Sequence, residues 1–180
     1  MLDKRTTLAI TIFLALAIAL PLAAQMAKRL SPQESVERSI SGKKITVVYG
    51  RPYMKGRKIM GGLVPYGQVW RTGANEATLF TTEADLEMGG TTIPKGAYSL
   101  YTLPSEQTWK LIINKRKGQS GMMHDYDPSQ DLVRLDLEKK TLAETVEQFT
   151  ISLEETGADA GVMKLAWENT FLWIPFKLKK

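Results

Sequence analysis

The residues best equipped for chemistry lie in one stretch, Tyr49 to Thr78, which reads YGRPYMKGRKIMGGLVPYGQVWRTGANEAT. Arg51, Arg57 and Arg71 carry planar guanidinium forks, a shape that grips a carboxylate or phosphate through paired hydrogen bonds. Trp70 and Tyr53 offer flat faces suited to stacking. Asn75 and Glu76 follow Arg71 across Gly73 and add an amide and a carboxylate. Together Arg51, Tyr53, Arg57, Trp70, Arg71, Asn75 and Glu76 form a candidate site for an anionic or sugar-like ligand. The competing reading is structural. In it Arg71, Asn75 and Glu76 satisfy one another and the backbone of a long buried loop, and Trp70 plugs one end of the core. Internal ion pairs use the same residue types as functional sites, and the structural reading is preferred.

Other chemistries fall away. The chain has no cysteine, which excludes zinc–thiolate sites, iron–sulfur clusters and thiol nucleophiles. Gly62 and Gly67 have the spacing of a phosphate-binding loop, but Gln68 and Val69 stand where Lys and Ser/Thr are needed. Gly118 to Met122 resembles a nucleophile elbow without its last glycine, and it falls in a loop. Asp125, Asp127, Ser129 and Asp131 alternate as in a calcium loop. Gln130 replaces the required glycine, Pro128 intrudes, and Asp136 stands on a strand at the twelfth position, so a solvated polar loop is expected. His124, beside Asp125, is the single histidine and cannot make a transition-metal site unaided. No metal, no cofactor and no catalytic residue is assigned. The alternative is a periplasmic hydrolase using a carboxylate, Glu76 or Asp125, with His124.

The elements that must position these residues are strands. A chain of 180 residues suits one domain that needs no disulfide or metal to fold. Lys44–Tyr49, Ala77–Thr82, Ala84–Met88, Thr91–Ile93, Ala97–Leu103 and Trp109–Asn114 are short, apolar or β-branched, and bounded by Gly or Pro. Leu132–Glu138 and Val146–Leu153 alternate, with Phe149, Ile151 and Leu153 inward. Met163–Trp167 and Phe171–Leu178 read as a hairpin through Glu168-Asn169-Thr170. The spacing predicts an all-β fold: an antiparallel sandwich of about eight to ten strands, jelly-roll-like or a partly closed barrel. Short helices are allowed only over Gln33–Arg38, where Pro32 suits the first turn, and over Leu142–Thr145.

Residues 1–24 read as a secretory signal peptide. Lys4 and Arg5 precede the apolar run Leu8–Leu20, Pro21 breaks it, and Ala23-Ala24 suits cleavage. The apolar run is shorter than the ~20 residues of a membrane span. A polar segment, 25–43, and a β-sandwich domain, 44–180, follow. The net charge is +5 with scattered lysines, so nucleic acid is not expected as a partner. Membrane contact is expected only through the signal segment before cleavage.

Several runs are familiar. Ser31-Pro32, Tyr49-Gly50-Arg51-Pro52, Gly56-Arg57, Gly61-Gly62, Val64-Pro65-Tyr66-Gly67 and Val69 to Thr78 resemble the bacterial domain-of-unknown-function family 2911. So do Pro94 to Leu100, Trp109, Asn114 and Trp167-Glu168. The resemblance implies an exported bacterial protein, periplasmic or secreted, and no particular reaction. The expected function is a non-catalytic binding or structural module of the cell envelope. Its partner would be a small anionic or sugar-like ligand or another envelope protein.

Overall fold

The computed structural model describes residues 31–118 and 125–179. The expected signal segment, 1–24, His124 and most of the Gly118–Met122 run lie outside them. Ser31–Lys180 is a compact unit by itself. Every described strand and every described core residue belong to it.

The fold is all-β and antiparallel, as the alternation predicts. The strands are β1 (Gln33–Ile40), β2 (Lys43–Gly50), β3 (Thr78–Thr82), β4 (Leu86–Met88) and β5 (Thr91–Ile93). They continue with β6 (Gly96–Leu103), β7 (Trp109–Asn114), β8 (Asp131–Gly157) and β9 (Ala160–Leu178). One sheet joins them in the order β1-β2-β3-β6-β7-β8-β9-β4-β5. Two of its turns follow directly from residue type. Ser41 and Gly42 both have positive φ, 48° and 73°, as a two-residue hairpin with the sheet's own twist requires. Gly89 and Gly90 do the same between β4 and β5.

The helix allowed over Gln33–Arg38 is a strand. This segment has no wide apolar stripe to bury, and a short isolated helix is marginal in water. Pairing with β2, from Gln33 opposite Gly50 to Ile40 opposite Lys43, satisfies its backbone instead. The sheet therefore begins well before Lys44.

The two longest strands shape the molecule. The first part of β8 pairs with β7, from Asp131 to Leu137. From Glu138 onward β8 pairs with β9 as a two-stranded ribbon. The register slips in the middle: Thr141 faces Thr170, Val146 faces Glu168, and Thr150 faces Ala166. More residues of β8 than of β9 fill this gap, and such bulges bend a strand. The ribbon folds back on itself there, and its tip returns to its base. Leu178 donates its N–H to the Asp159 carbonyl at 2.7 Å. A methyl on Gly161 would lie 2.6 Å from the Phe176 ring and 2.7 Å from Ile40, so strand base, tip and β1 meet around a glycine. Arg38 reaches the Leu153 carbonyl across the seam between β1 and β8. The result is a partly closed barrel.

Two further expectations change at this elbow. Leu142–Thr145 is bulged β8, not a helix. Glu168-Asn169-Thr170 is not a hairpin turn; β9 runs through it. Glu168 has φ 54°, and this kink moves the inward face from Met163, Leu165 and Trp167 to Leu172, Ile174 and Phe176. Asn169 stitches the bulge through the Leu142 carbonyl at 3.1 Å and the Thr145 hydroxyl at 3.2 Å.

Candidate functional site

The segment between β2 and β3 has no regular strand of its own and packs into the ribbon's elbow. It enters as a makeshift strand. Phe149 donates to the Pro52 carbonyl at 2.9 Å and Met54 donates to the Glu147 carbonyl at 2.8 Å. It then forms two knuckles. In the first, Arg57 folds over its own loop, with Nε on the Met54 carbonyl at 2.9 Å and Nη2 on the Tyr53 carbonyl at 2.7 Å. In the second, Leu63 donates to Lys58 and Val64 to Ile59, and the buried Ile59, Met60 and Val64 root the loop in the core. The return path runs along β6, where Trp70 and Thr102 exchange both backbone hydrogen bonds at 2.8 Å. It then passes so close to β2 that a methyl on Gly50 would stand 1.9 Å from the Ala74 carbonyl oxygen. That approach explains the Tyr49-Gly50 pair: only a residue without Cβ fits.

Most of the sequence-predicted site residues are built into this packing. Arg51 is half-buried, and its fork binds the Phe149 carbonyl at 3.1 Å, Glu34 at 3.1 Å and the Thr150 hydroxyl at 2.9 Å. It staples β1 to the ribbon. Trp70 is half-buried and stacks on Trp167, centroids 5.8 Å apart, with Phe149 edge-on at 5.0 Å. It fills the elbow against these two rings. Asn75 sits at φ 64° and donates to the Ser31 carbonyl at 3.1 Å, tying down the start of the described chain. Arg71 is half-buried, and burial lowers the pKa of its guanidinium. Glu76 is exposed. Tyr53 and Arg57 are exposed.

Sequence reasoning missed two carboxylates. Glu168, re-aimed by the kink, accepts the N–H groups of Ile59 and Met60, each at 3.1 Å. Glu147 accepts the Lys55 N–H at 2.9 Å. Both clamp the knuckles onto the elbow. The only advance signal was Trp167-Glu168 among the familiar runs; the pairing across more than a hundred residues was not readable. Beneath the plug, Met60, Trp70, Trp109, Phe149, Leu165, Trp167 and Leu172 line an apolar slot of about 10 Å³. That is room for about one water, far below the ~300 Å³ of a small-molecule pocket. The elbow's interior is packed; its contact chemistry is on the outside.

The aspartates of the calcium-like run do other work. Asp127 caps the short 3-10 turn Pro128–Gln130 by accepting the Ser129 N–H at 2.9 Å. Asp131 accepts from the Tyr126 hydroxyl at 2.7 Å, from Arg134 at 2.8 Å and from Asn114 at 2.9 Å. Among the described residues no group of three metal-ligating side chains converges.

A model of one protein family, described as "Protein of unknown function (DUF2911)", matches residues 31–176. No curated protein and no solved structure matches the chain. The matched stretch runs from the Ser31-Pro32 start of the compact unit to the last core residue of β9, Phe176, and covers the elbow and both knuckles. The chain therefore belongs to the DUF2911 family.

Proposed function

We propose that this chain is exported to the cell envelope and acts there as a non-catalytic binding module, with the central segment as its contact surface. One observation carries the reading. Among the described residues, the exposed large apolar side chains are Tyr53, Leu63 and Tyr66, at 39%, 47% and 37% exposure, and all three lie on this segment. Aromatic side chains exposed on a tightly clamped loop are preorganised for contact and lose little freedom on binding. Lys55, Arg57 and Lys58 are exposed beside them and favour an anionic or anionic-sugar partner. Arg51 and Trp70 support this surface from beneath.

The test is titration calorimetry of residues 25–180 with a uronate oligosaccharide, using neutral dextran oligosaccharide as control. Saturable binding of the charged sugar is expected, weakened about tenfold by Tyr53→Ala or Tyr66→Ala, the size of one lost aromatic contact. Equal affinity for neutral dextran, or indifference to both substitutions, would overturn the reading.

A further inference from the structure

We infer that the two knuckles dock on the surface of an anionic phospholipid bilayer, with Leu63 as the inserting tip. The inference rests on the central segment being the contact surface and names its partner.

The charge of this segment is one-sided. From Gly50 to Asn75 the chain carries Arg51, Lys55, Arg57, Lys58 and Arg71 and no acidic residue. Lys55, Arg57 and Lys58 are exposed, Arg57 with its fork folded onto the loop's own carbonyls. Acids reach it from neighbouring elements. Glu147 and Glu168 use their oxygens on its backbone N–H groups, and Glu106 and Glu168 lie near the Tyr66 phenol. The Glu168 bonds to Ile59 and Met60 lie at the root of the second knuckle, while Glu147 meets the first knuckle at Lys55 and Glu106 stands near Tyr66.

The apolar side chains are placed for a lipid–water boundary. The second knuckle divides its residues. Ile59, Met60 and Val64 point into the core, while Leu63 and Tyr66 stay outside and add nothing to that root. Tyr66 lies over Gly61, whose φ is 74° and where a methyl would sit 2.9 Å from the ring. Its ring and Leu63 thus belong to one small turn. Lys58 is in the same turn, since its carbonyl accepts the Leu63 N–H at 3.1 Å. Tyr53, Lys55 and Arg57 form the neighbouring knuckle, closed by the two arginine bonds to backbone carbonyls. An aliphatic tip, tyrosines beside it and flanking cations match the layers of a membrane interface, where tyrosine sits at headgroup level and basic side chains meet lipid phosphate. A soluble sugar would use the tyrosines and cations but has no use for an exposed leucine.

The experiment is co-sedimentation of residues 25–180 with vesicles of phosphatidylcholine alone and of phosphatidylcholine mixed with phosphatidylglycerol. Binding is expected only to the mixed vesicles, and it should weaken sharply between about 0.1 M and about 1 M salt as the screening length falls. Lys55→Gln with Lys58→Gln should weaken it about 25-fold, or about fivefold for each cation near the surface. Leu63→Ser should weaken it about tenfold at unchanged melting temperature. Lys177→Gln with Lys179→Gln, at the other end of the barrel, should leave it unchanged. No binding to mixed vesicles, equal binding to neutral ones, or indifference to the knuckle substitutions would overturn the inference. If vesicles fail and the uronate sugar still binds, only the bilayer falls. If both fail, the contact surface falls with it.

Discussion

Arg51 shows how far a single residue can be read in advance. Its type marks it as important, and its geometry explains why: a fork that serves a carboxylate serves equally well to join two strands. Its partners, Phe149 and Thr150, stand 98 and 99 positions away, and no local pattern announces them. Arg51→Ala should therefore destabilise the fold by about 2 kcal/mol, the scale of hydrogen bonds from a charged donor. The pair with Glu34 adds little, because Glu34 is substantially exposed. The melting midpoint should fall by about 4–8 °C in a domain of this size. Glu76→Ala should change it by no more than about 2–4 °C, since an exposed carboxylate contributes at most about 1 kcal/mol. Differential scanning calorimetry of both variants checks the contrast, and an equal loss in both would refute it.

At the scale of elements, alternation located the strands because one face of each is buried; Phe149, Ile151 and Leu153 point inward as read, and Leu135 and Leu137 join them in the core. The elbow was not legible. It arises from a mismatch in pairing between β8 and β9, which neither strand carries alone. β1 was misread for a related reason: its conformation is set by the edge of β2. The segment after β7 holds a second consequence. Tyr126 packs against Tyr101, ring centroids 4.8 Å apart and tilted by 58°, outside the main core cluster. Burial pushes the Tyr101 phenol up to about 12. Tyr126 is raised further, by burial and then by its hydrogen bond to Asp131, against the opposing pull of Arg134. A phenol with a raised folded-state pKa holds its proton more tightly in the native state. Its contribution is complete below the unfolded value of about 10 and disappears as pH rises through the folded value. Melting temperature should thus decline between about pH 10 and about pH 12 alongside tyrosinate absorbance. Tyr126→Phe should flatten part of that decline; an unchanged slope would show that this pair does not control it.

The whole molecule is closed by distant partners. Arg38 meets Leu153 and Ser41 meets Ala158, 115 and 117 positions apart. Loop closure on that scale must precede the contacts that reward it, so refolding of residues 25–180 should take about milliseconds to seconds. Stopped-flow fluorescence of the elbow tryptophans, Trp70 and Trp167, would record it, and a microsecond phase carrying the full amplitude would contradict this topology. The folded ribbon also gives the molecule two unlike poles. Ser31 and Pro32 are bound at the elbow, to Asn75 and to the Arg51 N–H. Leu178 and Lys179 are bound at the ribbon's tip, to Asp159 and Asp85. About ten residues of β9, some 30 Å of strand, separate the two. A fluorophore, affinity handle or fused domain attached after Lys180 would hang clear of the knuckles. The same cargo joined directly before Ser31 would crowd them, so the choice of terminus decides whether an assay sees the surface or hides it.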